Sequence, residues 1–411
     1  MISISNSNKI EQKTMNKAEV IKKKKKRVVV PEFFLFFFLS TFEQVKTFFF
    51  FFWNQKKKKK YLIAYAVWQI WGGGLSECSP RWVWFVLLLG AFFYHTFDGL
   101  DGKQARRTGN SSPLGQLFDH GCDAFIYTPI LMTQLSQTQY GVGWTLHGAM
   151  ICAYIVFYML NWRCRHQGQF FFGFYSVSEA NVTGWISLLI SSIAGCEIYQ
   201  TKISIVNFQL NTGDLLLFVL IFACIWTTIS EFLAVSCSQN RNFSFLITKK
   251  KLLREYYAKC MKEGKEDPGS YIELVQVSVF LITFVFWALT GAFEKHPYLF
   301  LWTEGLIFSG LVHRLIVADV CKLKTRKFYN LLALLPIISI FSVLDVFFNV
   351  NVLACLPTTR VLTMSSGEVL LFIFVWELVC WLLYVVRVIN EIAAILKIHV
   401  FFITDKHNKG H

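Results

Sequence analysis

The chain has 411 residues, of which 54% are hydrophobic, 17% aromatic and only 16% charged. That excludes an ordinary soluble globular domain, in which about a quarter of residues carry charge, and points to a polytopic membrane protein. The net charge of +15 sits largely in short Lys/Arg runs between apolar segments, the pattern of cytosolic loops, so nucleic acid is not expected as a partner.

Residues 1–60 are low in complexity: KKKKKR at 22–27, a Phe-rich run at 33–38, TFFFFFWN at 47–54 and KKKKK at 56–60. Glu43 and Lys46 interrupt the apolar material, which argues against a spanning helix there. The favoured reading is a disordered leader, or a stretch that is not a faithful part of the protein. The alternative is a surface segment whose lysines meet anionic lipid. The first residues are polar and then basic, with no visible cleavable signal peptide.

Apolar segments follow at 61–73, 82–97, 124–140, 143–162, 176–196, 214–236, 271–292, 297–320, 328–353 and 367–397. Most approach the ~20 residues a bilayer crossing needs. The first is short and runs into Gly72, Gly73 and Gly74. The expected fold is therefore all-α: a polytopic membrane helix bundle with nine to ten transmembrane helices. Residues 61–397 form the membrane domain and 398–411 a cytosolic tail. With Asp98 on the cytosolic side, walking the helices in order puts Lys103–Arg107, Arg163–Arg165, Lys249–Lys251, Lys322–Lys327 and the tail in the cytosol. The opposite loops then hold only Lys202, Lys295 and Arg360. This is a positive-inside arrangement. The sequons at Asn110, Asn181 and Asn242 fall at cytosolic ends in it and are read as unused. The 11 cysteines include no C-x-x-C pair and many lie within apolar runs, so they read as buried thiols.

Between the second and third segments runs DGLDGKQARRTGNSSPLGQLFDHGCD, residues 98–123. Asp98 and Asp101 are three apart, with Gly102 and Ala105 continuing their helical face. Gly115, Asp119 and Asp123 are four apart and share another. Two helix faces with two carboxylates each make an oxygen cage for a hard divalent cation such as Mg2+. Four acids beside apolar helices are costly without such a partner.

The spacing D-x2-D-G-x2-A-R-x8-G-x3-D-x3-D resembles the signature of the CDP-alcohol phosphatidyltransferase family. DGKQARR, SSPLG and LFDHG with the final Asp look like its choline/ethanolamine phosphotransferase branch. The resemblance covers roughly residues 80–397, densely over 82–125. It implies transfer of a phospho-alcohol from a CDP-linked donor to a lipid hydroxyl, with release of CMP. It makes Asp98, Asp101, Asp119 and Asp123 the ligands of Mg2+ or Mn2+, two ions in all. Gly102 and Gly115 allow close approach of helices and nucleotide, and Arg106 grips phosphate. Arg107 either joins Arg106 or is a loop charge. Asn110 and Gln116 lie in the linker that should touch the nucleotide. Both depart from the branch pattern, which usually has Asn-Ser where Gly109-Asn110 stands and more often Glu at 116. The Pro-Asn-Leu-Ile/Val-Thr motif that usually precedes the aspartate helix is missing here.

The lipid hydroxyl must lose a proton. His120 is the favoured base and Asp123 the alternative. Glu179, in SVSEANVTG, either faces the donor's cationic amine or is an acid favoured by the helix dipole. Glu231, Glu304, His313, Arg314, Asp345, Glu377 and Arg387 also interrupt helices and are expected to pair within the bundle or at an interface. Loose similarity of RWVWFVL, FDGLDGKQARR and VRVINEIAAILKI to ethanolamine-type members tilts the donor towards CDP-ethanolamine, with CDP-choline the near rival. Diacylglycerol is the acceptor, with an endoplasmic reticulum or Golgi membrane as the location and the site facing the cytosol. The later helices would add a lipid-access or homodimer surface. A non-catalytic homologue is the rival of another class. A transporter would spread polar residues along several helices, whereas here they crowd at one end of two.

Overall fold

The structure, a computed structural model, describes residues 56–72, 74–108, 113–167, 177–205, 208–239, 272–321 and 366–396. The expectations for residues 1–55 and 397–411, for the apolar segment 328–353, and for Asn110, Asn242 and Asp345 lie outside the described residues.

Among those residues there are ten α-helices, which we number in chain order: α1 (Lys56–Trp71), α2 (Arg81–Arg107), α3 (Pro113–Ser136), α4 (Trp144–Gln167), α5 (Val177–Ala194), α6 (Thr212–Gln239), α7 (Ile272–Ala288), the one-turn α8 (Ala292–Lys295), α9 (Pro297–Val320) and α10 (Ser366–Leu396). The fold is all-α, as expected. The exception is a hairpin of β1 (Lys202–Ile205) and β2 (Phe208–Asn211) in the loop before α6, with Lys202 opposite Asn211.

Among the described residues, five helices are long and apolar enough to cross a membrane: α2, α4, α6 over Thr212–Ser236, α9, and α10 over Gly367–Ile395. The chain is a multi-pass membrane protein. α1, α3, α5 and the shorter apolar α7 stand where the sequence places helices but do not reach that measure of length and apolarity. α9 is the central post, with 83% of its span buried, against 22% for α6 and 28% for α10. The core around it is aromatic: Tyr154 lies 4.4 Å from Phe308, and Phe284, Phe293 and Trp287 surround Phe300. The outward face of α6 instead exposes Phe218, Phe222, Trp226 and Ile229, a stripe at helical spacing suited to lipid tails.

The signature stretch is itself helical. The apolar run ends near Phe97, yet α2 continues to Arg107, because Leu100, Lys103, Gln104, Ala105 and Arg106 are good helix formers. The helix closes at Thr108, whose backbone N–H and hydroxyl both donate to the Gln104 carbonyl, at 2.9 and 3.0 Å. Arg106 and Arg107 occupy the last turn, where cations meet the negative end of the dipole. α5 ends at Gly195, whose φ of 88° turns the chain away from the helix.

Helices meet closely where small residues face one another. A Cβ on Gly305 would lie 2.6 Å from Thr128 Cγ2 and 2.7 Å from Thr128 Cβ, so α3 and α9 pack nearly backbone to side chain. Charges inside the bundle are paired, as the sequence suggests. Arg163 donates to both oxygens of Glu231 at 2.8 Å, Arg165 bonds Glu273 at 2.6 Å, and His147 meets Glu304 at 3.2 Å with both side chains fully buried. These pairs tie α4 to α6, α7 and α9.

The cysteine reading needs correction. Cys78 and Cys196 are joined in a disulfide, with their Cα atoms 5.7 Å apart. Sequence spacing hid it because 118 residues separate them. The folding of α5 back along α2 brings them together, with Arg81 Nη2 donating to the Ala194 carbonyl at 3.3 Å beside the bond.

Candidate active site

α2 and α3 carry the carboxylates, and their arrangement follows from chain order. α2 delivers Asp98 about two and a half turns from its end at Arg107. α3 follows and brings Asp119 and Asp123 alongside. One carboxylate oxygen each from Asp98, Asp119 and Asp123 lies within 4.8 Å of the others, and all three residues are half-buried. Three like charges at that distance repel strongly where solvent screening is reduced. A cation removes the repulsion, and an all-oxygen donor set suits a hard divalent ion such as Mg2+ or Mn2+. The donor set therefore fits the metal that the residue spacing anticipates.

Asp101 is half-buried on the next turn of α2 and is not one of those three converging oxygens. Gly102 is half-buried, with Arg106 Nη1 3.5 Å from where its Cβ would be, so the guanidinium folds back over the glycine. Arg106 and Arg107 are exposed at the end of α2, and Gly115 and Gln116 are exposed in the first turn of α3. His120 follows Asp119 and is half-buried.

Glu179 is exposed in the first turn of α5. The antiparallel packing of α5 on α2 fixes its depth. Trp185 Nε1–H donates to His95 Nδ1 at 3.1 Å, and Phe92 packs 5.5 Å from Trp185. Glu179 is six residues along α5 from that contact and Asp101 six along α2, about 9 Å each at 1.5 Å per residue. The two acids stand at the same level of the bundle.

Two residues at the site escaped the sequence reading. Tyr94, one turn before Asp98 and on the same face, donates its phenol O–H to Asp123 Oδ1. His95 packs against it, 5.0 Å between ring centroids. The available signal was position alone: both lie within four residues of Asp98 on its helical face, inside a run that otherwise reads as apolar.

An apolar cleft opens on the other side of α3, between α3, α9 and α10, with Leu117, Gly121 and Phe125 on one wall and His313, Trp381 and Ile389 on the others. By helical geometry these α3 residues point away from Asp119 and Asp123. The acidic centre is therefore a separate place on the same helix. Gly121 is required at the boundary, because a Cβ there would lie 2.9 Å from His313 Nε2.

Known proteins carry the same pattern. A model of the CDP-alcohol phosphatidyltransferase family matches residues 61–230, which include the whole acidic centre. Two Dictyostelium discoideum proteins, described as uncharacterized CDP-alcohol phosphatidyltransferase class-I family proteins 2 and 3, are similar over most of the chain. The first is 29% identical over 338 residues, 82% of this chain and 73% of that protein. The second is 30% identical over 360 residues, 84% of this chain and 85% of that protein. Human cholinephosphotransferase 1 is 29% identical over 254 residues, 60% of this chain and 57% of that enzyme. Members of this family are phospholipid-forming CDP-alcohol phosphotransferases and generally depend on divalent metal. With the converging aspartates, the helical bundle and relatives matched over most of its length, this chain belongs to the CDP-alcohol phosphatidyltransferase family.

Proposed function

We propose that the protein is an ethanolaminephosphotransferase, which moves phosphoethanolamine from CDP-ethanolamine to diacylglycerol and releases CMP. The observation that carries this is the convergence of Asp98, Asp119 and Asp123 within the region matched to the family. The acceptor's hydroxyl oxygen forms a bond to the phosphorus that bears ethanolamine. The bond from that phosphorus to the bridging oxygen breaks, and CMP leaves with the electron pair. His120 takes the hydroxyl proton, with Asp123 as the alternative base. Asp98, Asp101, Asp119 and Asp123 would hold divalent ions, whose positive charge would offset the negative charge developing on the pyrophosphate. Arg106 and Arg107 bind the donor's phosphates from the end of α2. Gly102, Asn110, Gly115 and Gln116 form the nucleotide side, and Glu179 meets the donor's cationic amine. Its level beside Asp101 supports that last role.

Topology supports a cytosolic site in a membrane of the secretory pathway. The Cys78–Cys196 bond lies before the start of α2 and after the end of α5. Asp98 is 17 residues along α2 from Arg81, about 26 Å away at 1.5 Å per residue. Disulfides persist in oxidising compartments, so the bond favours a lumenal position for its own end and a cytosolic one for the acids. Residues 61–397 are then the membrane domain.

Choline is the second head group to consider, because human cholinephosphotransferase 1 is among the similar proteins. Purified protein given labelled CDP-ethanolamine or CDP-choline, with diacylglycerol and Mg2+, tests both. The expected result is CMP release with both donors or with ethanolamine preferred, abolished by a chelator. Choline alone would correct the head group. No CMP release from either donor would favour a non-catalytic homologue.

A further inference from the structure

We propose that Tyr94 is a positioning residue for the cation site: its phenol holds the Asp123 carboxylate turned towards Asp98 and Asp119. The proposal rests on the reading that these aspartates bind a divalent ion.

The carboxylates converge from two helices, and like charges push them apart before any ion arrives. Something must hold Asp123 in place. Tyr94 stands on α2 one turn before Asp98 and is only 4% exposed. A phenol can donate one hydrogen bond, and this one goes to Asp123 Oδ1 on the neighbouring helix. The bond uses one Asp123 oxygen and orients the other, as groups behind metal ligands commonly do. Tyr94 is itself braced. His95 lies against its ring at 5.0 Å, and Trp185 of α5 fixes His95 through the 3.1 Å hydrogen bond to Nδ1. The chain of contacts from α3 through α2 to α5 keeps the phenol aimed at one place. It also sets the tautomer of His95: Nδ1 accepts from Trp185, so the neutral ring carries its proton on Nε2 and braces without serving as a base there.

Tyr94→Phe tests this, because it keeps the ring and removes only the donor. Wild-type and variant full-length protein are purified in detergent, and Mn2+ binding is read from the loss of the free-ion electron paramagnetic resonance signal. We expect Mn2+ affinity to fall about tenfold in Tyr94→Phe, within the 10- to 100-fold range typical when a group behind a metal ligand is lost. The Mg2+ concentration for half-maximal CMP release should rise by a similar factor, while kcat at saturating Mg2+ stays within about threefold. In an Asp123→Ala background the same tyrosine change should have no further effect on Mn2+ affinity, since the tyrosine acts through that carboxylate. Thermal melting of each variant separates these effects from unfolding. Wild-type Mn2+ affinity in Tyr94→Phe, or an equal loss with and without Asp123, overturns the positioning role and leaves the cation reading standing. Absence of Mn2+ binding by the wild-type protein overturns both.

Discussion

Asp119→Asn is expected to reduce CMP release by about a thousandfold or more, and Asp98→Asn and Asp123→Asn by similar factors. The three residues supply the converging oxygens. A divalent ion at a cleaving pyrophosphate contributes several kcal/mol to the transition state, and each ~1.4 kcal/mol is tenfold in rate. Asparagine keeps the size and one oxygen but removes the charge, so packing between α2 and α3 survives while cation affinity falls. Excess Mg2+ should recover part of the activity in the weaker variants and none in a double variant. Asp101→Asn is the informative fourth member. It lies outside the converging trio, and a loss as large as that of Asp119→Asn would place it on a second ion. Rates measured on purified protein against Mg2+ concentration distinguish these outcomes, and near-normal turnover in Asp119→Asn would contradict the assignment.

His120→Ala is expected to cost about 10²- to 10⁴-fold in kcat, the usual contribution of a positioned general base. The residue sits between Asp119 and Gly121 on α3 and is half-buried, so its removal leaves the core intact. Added imidazole should restore some activity to His120→Ala by taking the proton in its place. Mn2+ affinity should change little, since the ligand atoms that converge come from Asp98, Asp119 and Asp123 and not from a His120 ring nitrogen. Turnover close to wild type would remove His120 from the role and return Asp123 as base. Loss of Mn2+ binding with loss of activity would make it a ligand instead.

The fold and much of the site were legible in the sequence for separate reasons. Apolar segments of bilayer length marked the helices, because burial in lipid demands continuous apolar surface whatever the neighbours. The acidic residues were legible because charge is costly inside such a chain and the i, i+3 and i, i+4 spacings put them on shared faces. What stayed hidden depends on contacts between distant elements. Cys78 and Cys196 look like two unrelated thiols until α5 folds back along α2. Tyr94 and His95 read as part of an apolar run, since an aromatic residue there is ordinarily lipid-facing or core. Glu231 and Glu304 were recognised as needing partners, but Arg163 and His147 could be named only once α4 was seen to pack against α6 and α9. Hydropathy alone stops at Phe97 and resumes at Ala124, whereas the i, i+3 and i, i+4 spacings marked the signature as helical, and α2 and α3 run through it.

The most direct test of the central claim is to locate a cation. A structure of the purified protein loaded with Mn2+ and collected at the manganese absorption edge would reveal it by anomalous scattering. The account predicts an anomalous peak about 2.0–2.3 Å from carboxylate oxygens of Asp98, Asp119 and Asp123, absent in Asp119→Asn. A manganese peak elsewhere with none between α2 and α3, or aspartate side chains turned away from one another in the loaded protein, would contradict it.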